Sequence, residues 1–182
     1  MGKAEVLLIG GRSGVGKSSV GWEVAAQLRA ADVGHAMIEG DLLDAVHPTP
    51  PGDPDRSGIT VRNLAAIWAN YTELGCRRLV YTNTASVLGS EEWLFTEALD
   101  GPRVIRVPLT ATDATIEARL RARELGSELE QQLRRSRFMS RHLDEHAAPD
   151  AHRIPTDDRA LTDIAKEVVG VTGWGGGVAA TA

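Results

Sequence analysis

The sequence predicts an α/β protein in which helices cover both faces of a five-stranded parallel sheet. Short, mostly aliphatic runs recur along the chain, as in residues 5–9 (EVLLI) and 103–109 (RVIRVPL). Longer segments with apolar residues at helical spacing separate these runs. Such alternation is typical of parallel sheets, whose strands are buried on both faces.

Length and composition indicate the number of domains and the kind of partner that the protein has. The chain has 182 residues, of which 42% are apolar, and a formal net charge of -5. This size fits one α/β domain, which we expect at residues 1–172, followed by a disordered tail at 173–182. The acidic balance argues against a nucleic-acid partner.

The single cysteine and the short apolar runs indicate the cellular compartment in which the protein is expected. Cys76 has no second cysteine with which to form an internal disulfide,. No segment approaches the ~20 apolar residues that span a bilayer. We therefore expect a cytoplasmic protein without a membrane partner, and the oligomeric state stays open.

The first half of the chain contains three predicted strands, at residues 5–9, 35–38 and 78–82. Its predicted helices cover residues 17–30 and 60–74. Between them, residues 47–58 contain four prolines and two glycines. These residues break regular structure, so they predict a long loop.

The second half continues the alternation. A predicted helix at 90–99 is followed by a strand at 103–109, and a helix begins at 110–113. Residues 125–146 are helical in pattern but highly charged. Ile154 marks a short fifth strand, and the last helix is predicted at 157–169.

A phosphate-binding motif lies between the first strand and the first helix. Residues 11–18 (GRSGVGKS) match G-x-x-x-x-G-K-[ST] at every fixed position,. Glycines let the backbone curl around an anion, and the helix N-terminus adds partial positive charge. Lys17 can reach the β and γ phosphates, and the Ser18 hydroxyl can bind Mg²⁺. The expected nucleotide-binding residues here are Gly11, Arg12, Ser13, Gly14, Val15, Gly16, Lys17, Ser18 and Ser19.

The motif alone does not distinguish hydrolysis, phosphoryl transfer and mechanical switching. The chain has no convincing N-K-x-D element and no apolar strand that ends in paired acids. The third strand runs instead into Thr82, Asn83 and Thr84, whose polar groups suit a polar acceptor. These residues are explained equally well if their polar groups only form hydrogen bonds with neighbouring residues at the end of the strand.

Two further features make the chain resemble the small P-loop kinases, a group that includes gluconate, adenylylsulfate and shikimate kinases and chloramphenicol phosphotransferase. Glu39-Gly40-Asp41 follows the second strand, where gluconate and adenylylsulfate kinases have a Gly-Asp pair, and an Arg-rich segment follows the fourth strand. The resemblance implies a three-layer P-loop NTPase fold with a short Arg-rich helical lid. It also implies ATP- and Mg²⁺-dependent phosphorylation of a hydroxyl group on a small molecule.

Asp41 is the catalytic candidate outside the motif. The resemblance places it near the acceptor hydroxyl and the metal, together with Ser18. A carboxylate at the carboxyl end of a strand also projects into the crevice where open α/β sheets bind ligands. Asp41 can accept a hydroxyl proton or hold Mg²⁺ through water. The alternative is that Asp41 only caps a short helix at 42–46.

The Arg-rich segment is the expected lid, at about residues 119–141, with a local net charge of +4. Arg119 and Arg123 are four residues apart, which places them on one helix face. Their spacing resembles the element that opens the lid of adenylate kinase and its relatives. The resemblance implies that both close over the phosphates during transfer, because guanidinium groups bind phosphate oxygens bidentately. A solvated helix face with local acidic partners is the alternative.

The resemblance also implies a loop against the adenine base near the C-terminus. It gives Arg153 and Pro155 a part in nucleotide binding. Thr156 or Asp157 as the cap of the last helix accounts for this stretch equally well.

The acceptor is expected between the loop at 47–58 and the helix at 60–74. Arg56, Arg62 and Asn83 are candidates to recognise an anionic or polyhydroxylated acceptor, and surface roles account for the two arginines as well. Two rival functions fit the chain: a nucleotide-binding regulatory or resistance protein that transfers no phosphate, and a simple NTPase.

Overall fold

The predicted parallel sheet is confirmed in the computed structural model, which describes residues 2–123 and 129–175. The strands are β1 (Glu5–Gly10), β2 (Ala36–Glu39), β3 (Arg78–Thr82), β4 (Arg103–Thr110) and β5 (Ile154–Pro155). Their order across the sheet is β2-β3-β1-β4-β5, and every neighbouring pair is parallel. The carboxyl ends of β1, β2 and β3 therefore meet at one edge, where the crevice of such sheets lies.

Helices cover both faces of this sheet. They are α1 (Lys17–Ala30), α2 (Ser57–Glu73), α3 (Glu92–Leu99), α4 (Asp113–Arg123), α5 (Leu129–His146) and α6 (Leu161–Thr172). In β1, Leu7 and Ile9 pack with α1, α4 and α6, whereas Val6 and Leu8 pack with α2 and α3. None of the described helices combines the length and the apolar character that a membrane crossing requires.

Two helices begin at residues that differ from the prediction, α2 earlier and α6 later. The N–H groups of Gly58 and Ile59 donate to Asp53 at 2.9 and 2.8 Å, so α2 begins at Ser57 inside the predicted loop. Asp157 accepts the N–H of Thr112 at 2.9 Å. The last helix begins at Leu161 after Ala160, and neither Thr156 nor Asp157 caps it.

The predicted disordered tail at 173–182 is wrong at Trp174. Gly173 has a φ of 70° and ends α6, which turns the chain back toward the core. Trp174 is only 6% exposed and packs in the cluster that α1 and α6 share. The indole buries a large apolar area, which stabilises this turn of chain in the fold. Residues 176–182 lie outside the described part.

Candidate active site

The phosphate-binding loop joins the carboxyl end of β1 to the first turn of α1. Gly14 and Gly16 have φ values of 86° and 103°, which residues with a side chain disfavour,. An added Cβ on Gly14 would also lie 3.1 Å from Cγ of Leu120 in α4. The loop thus has the curled backbone typical of phosphate sites, and α4 packs closely against it.

The side chain of Arg12 joins this loop to α4. It is only 4% exposed, makes an ion pair with Asp113 and donates to the Ala111 carbonyl at 2.6 Å. The hydrogen bond from Arg12 lowers the pKa of the Asp113 carboxyl below its ordinary value. Arg12 was predicted to bind nucleotide, and its guanidinium instead bonds to these two partners on the side of α4.

A cavity of about 550 Å³ opens beside the loop; we call it the P-loop cavity. Its volume falls in the range of roughly 300–1,000 Å³ that is usual for small-ligand sites. Residues 13–20 line it, and they include every predicted nucleotide-binding residue from Ser13 to Ser19. Gly11 and Arg12 are not among its lining residues. Lys17 Nζ donates to the Arg12 carbonyl oxygen at 3.4 Å.

Glu39, the last residue of β2, is a site residue that the sequence analysis did not single out. Its carboxylate accepts a hydrogen bond from Ser18 Oγ at 3.2 Å and another from Trp22 Nε1 at 2.6 Å. The sequence feature that could have identified Glu39 is its position before the Gly-Asp pair, at the carboxyl end of a strand. The predicted metal pair was Ser18 and Asp41, and the structure adds Glu39 beside Ser18.

The oxygen donors at this point fit Mg²⁺. Ser18 supplies a hydroxyl, and Glu39 and Asp41 supply carboxylates, which are the hard ligands that this ion prefers. Mg²⁺ keeps several waters and takes few protein ligands beside phosphates.

Asp41 lies in a 3₁₀ turn (Gly40–Leu42) directly after β2 and lines the P-loop cavity. Its Oδ1 accepts a hydrogen bond of 2.7 Å from Nδ2 of Asn83, which follows β3. Asn83 Oδ1 in turn accepts the N–H of Ala85 at 2.9 Å. The alternative of a capped helix at 42–46 is wrong, because the turn ends at Leu42 and the carboxylate bonds to Asn83.

Arg119 lies at the P-loop cavity, as predicted for a lid residue. Its guanidinium donates to the carbonyl oxygens of Val15 and Thr156 at 3.2 and 3.0 Å. From α5, Ser136 Oγ donates to the carbonyl oxygen of Ser13 at 3.2 Å. The two helices of the predicted lid thus both contact the P-loop.

The other lid arginines are placed differently. Arg121 pairs with Glu117 at 2.6 Å, one turn earlier on α4, as the solvated-face alternative expects. Arg137 lies 3.5 Å from the same carboxylate. Arg123 ends α4, and its side chain lies outside the described part.

The residues predicted to contact adenine do not line the P-loop cavity. Arg153 pairs with Asp144 of α5 at 2.7 Å, and Pro155 is exposed. Thr156 and Arg159 line this side of the cavity instead. Thr156 belongs to the stretch that was expected against the adenine base, whereas Arg159 was missed, since its place depends on where β5 ends.

A second cavity, of about 250 Å³, lies next to the Asp41–Asn83 pair on the side of α2 and α3; we call it the acceptor cavity. Of the three residues predicted to bind the acceptor, Asn83 lines this cavity, and Arg56 and Arg62 do not. Arg56 donates to Thr49 Oγ1 at 3.1 Å, and Arg62 is exposed on α2. The full lining consists of Gly40, Asp44, Asp55, Ser57, Thr60, Tyr81, Asn83, Ala85, Ser86, Glu91, Leu94 and Phe95.

Solved structures of kinases share this architecture. The APS kinase of Mycobacterium tuberculosis, in complex with AMPPNP and APS, aligns at a TM-score of 0.59 and 21% identity over 94% of this chain and 99% of its own. The fold is that of the small P-loop kinases. A gluconokinase from Sinorhizobium meliloti 1021 aligns at a TM-score of 0.58 and 20% identity, over 94% of this chain and 93% of its own.

A third protein with the P-loop kinase fold is the tunicamycin resistance protein of Deinococcus radiodurans. It aligns at a TM-score of 0.59 and 20% identity, over 94% of this chain and 96% of its own. No family model matches the sequence, and no curated protein matches it either. The comparisons therefore establish the fold, and the site's own geometry must carry the argument about activity.

Proposed function

We propose that the protein is an ATP- and Mg²⁺-dependent phosphotransferase that phosphorylates a hydroxyl group on a small molecule. The observation that carries this proposal is the Asp41–Asn83 hydrogen bond of 2.7 Å. Asp41 lines the P-loop cavity and Asn83 lines the acceptor cavity, so the pair lies where the two meet. A donor site and an acceptor site that are joined by one hydrogen-bonded pair meet the need of direct transfer for two reactants held side by side.

On the donor side, the P-loop backbone and Lys17 bind the nucleotide phosphates. Ser18, Glu39 and Asp41 are the residues that would hold Mg²⁺, which neutralises charge on the phosphates when it is bound. Arg119 lies at the same cavity and is held by the Val15 carbonyl oxygen. Its guanidinium is suited to stabilising charge on the transferred group.

On the acceptor side, Asp41 orients the hydroxyl that attacks. Asn83 fixes Oδ1, which leaves Oδ2 for the acceptor. The acceptor oxygen bonds to the γ-phosphorus, the bond to the bridging oxygen of ADP breaks, and Asp41 takes the hydroxyl proton. ADP and a phosphate ester are the products.

The test is acceptor-stimulated ADP release over a broad panel of sugars, polyols, nucleosides and amino alcohols. The proposal predicts that at least one compound stimulates ADP release and becomes phosphorylated, and that Lys17→Ala abolishes both. Tight ATP binding without any phosphorylated product would favour a nucleotide-binding regulatory protein. Hydrolysis that no compound accelerates would favour a simple NTPase.

A further inference from the structure

The acceptor cavity is acidic. Asp44, Asp55 and Glu91 line it, and no Arg, Lys or His is among its lining residues. None of these three carboxylates forms an ion pair with any residue that the structure describes. Asp55 is oriented by Ser57, whose Oγ donates to it at 2.9 Å. The cavity thus carries negative charge without a cation in its wall.

Tyr81 adds a second, independent observation at the same cavity. The residue is only 3% exposed, yet its hydroxyl makes no hydrogen bond to any described residue. The hydroxyl lies against Gly40, where an added Cβ would be 2.2 Å from the phenol oxygen. A phenol hydroxyl can donate one hydrogen bond and also accept. Its position in the cavity wall leaves that hydrogen bond for a ligand.

The pKa values of two groups around the cavity are raised, first by burial and then by this negative charge. Burial raises the pKa of the Glu91 carboxyl, and the nearby Asp55 raises it further. Burial likewise raises the pKa of the Tyr81 phenol far above its ordinary value, and Asp41, Asp44 and Glu91 add to the effect. A partly enclosed site lined by one sign of charge concentrates the field and attracts the opposite sign.

We propose that the acceptor is a small hydroxyl compound that also carries an ammonium group, such as an amino sugar or an amino alcohol. This proposal rests on the proposed function, because it assigns the second cavity to the acceptor. The ammonium group binds among Asp44, Asp55 and Glu91, and Tyr81 hydrogen-bonds to a hydroxyl of the ligand. A hydroxy acid would meet the same carboxylates and be repelled.

Binding calorimetry of the whole chain with Mg²⁺ and AMPPNP tests this independently of catalysis. The probes are matched sets that differ in charge: glucosamine, glucose and glucuronate, and galactosamine, galactose and galacturonate, with ethanolamine and serinol as smaller amines. We expect at least one amine to bind about tenfold or more tightly than neutral or acidic probes, since charged hydrogen bonds are stronger. Equal or tighter binding of a neutral or acidic probe, or no binding of any amine, would overturn the proposal.

Two variants distinguish the effect of a carboxylate in the cavity from the effect of the protein's net charge on amine binding. Glu91→Gln should weaken amine binding by about tenfold and leave neutral probes unaffected, because only the charged contact is lost. Burial already disfavours the charge on Glu91, so we expect the amide to preserve the fold. Glu97→Gln, an exposed position on α3, makes the same change in net charge and should not alter binding. Equal effects of both variants would contradict the assignment.

The same probes in the ADP-release assay distinguish the two proposals. Amines that bind but are not phosphorylated would leave the ligand class in place and remove the proposed function. Transfer to a neutral or acidic probe in preference to amines would support the function and overturn the ligand class.

Discussion

At the scale of single residues, three consecutive positions after the body of β2 define the chemistry of this site. Glu39 bonds to Ser18 and Trp22, Gly40 makes room for a tyrosine, and Asp41 bonds to Asn83 across the sheet edge. Their different tasks follow from the change of backbone at this point, since Glu39 ends the strand and Gly40 and Asp41 begin a 3₁₀ turn. The role of each of these three residues can be measured separately.

Glu39→Gln should raise the Mg²⁺ concentration for half-maximal activity by about tenfold or more, because groups around a metal commonly contribute that much to its affinity. The measurement is phosphoryl transfer or hydrolysis across a Mg²⁺ titration. Trp22→Phe is the matched control, since it removes only the 2.6 Å donor to Glu39. An unchanged Mg²⁺ dependence in Glu39→Gln would show that the carboxylate lies outside the metal's environment.

Gly40→Ala should destabilise the protein by about 1–3 kcal/mol, since overpacking of a buried site has that cost. The added Cβ would lie 2.2 Å from the Tyr81 hydroxyl oxygen and 2.3 Å from Cζ. Adding Tyr81→Phe therefore should not restore stability, because the ring carbon clashes as well. Denaturant unfolding measures both variants, and wild-type stability in Gly40→Ala would contradict the packing described.

At the scale of elements, carboxylates outside the helices bond to backbone at or just before the first turns of α2 and α4. Asp53 receives the first N–H groups of α2, and Asp157 bonds across to Thr112 before α4. Arg12 makes its ion pair 101 residues away in sequence, at Asp113. These contacts connect the P-loop, the lid helices and β5.

Sequence periodicity could predict the strands and helices themselves, because each buries an apolar pattern of its own. Residues 11–18 could be recognised because the phosphate motif is local. The partner of Arg12 and the bond between Asp157 and Thr112 depend on which distant segments the fold brings together. Arg153 and Arg159 show the same limit, because nothing local indicates which of the two reaches the cavity.

The bond between Asp157 and Thr112 predicts a dependence of stability on pH. The Thr115 hydroxyl, with the N–H and hydroxyl of Thr112, lowers the pKa of Asp157 to about 2. Since this value lies below the ordinary ~3.9 of Asp, the unfolded chain binds more protons between the two values. The stabilisation is thus complete above pH ~4 and is lost as the pH falls toward about 2.

Asp157→Asn should therefore be less stable than the wild type near neutral pH, and the difference should shrink between pH ~4 and ~2.5. Thermal unfolding over this range measures it. Asp158→Asn is the control, because the neighbouring carboxylate makes no side-chain hydrogen bond among the described contacts. A difference that stays constant with pH would contradict the assigned role of Asp157.

At the scale of the whole molecule, the chain is a three-layer fold in which two cavities meet at one edge of the sheet. The core on the α1 and α6 face includes Trp174, which lies beyond the last helix. The core on the α2 and α3 face forms the floor of the acceptor cavity, with Leu94 and Phe95 in its wall. Each core thus supports one of the two sites.

Trp174→Ala should cost about 3 kcal/mol of stability, as is usual when a buried aromatic ring is truncated. Trp174→Phe retains most of the apolar contact and should cost clearly less. Denaturant unfolding gives both values. A change of under about 0.5 kcal/mol in Trp174→Ala, typical of surface positions, would place this residue outside the packed core.

The most direct test of the account is phosphoryl transfer by Asp41→Asn with an acceptor from the panel, at saturating ATP and Mg²⁺. The account predicts that acceptor-dependent transfer falls by about a hundredfold or more, because proton transfer by a positioned group contributes at least that much. Nucleotide binding, which Lys17 and the P-loop provide, should persist. A fall of less than about tenfold would remove Asp41 from the chemistry and contradict the account of a carboxylate that acts where the two cavities meet.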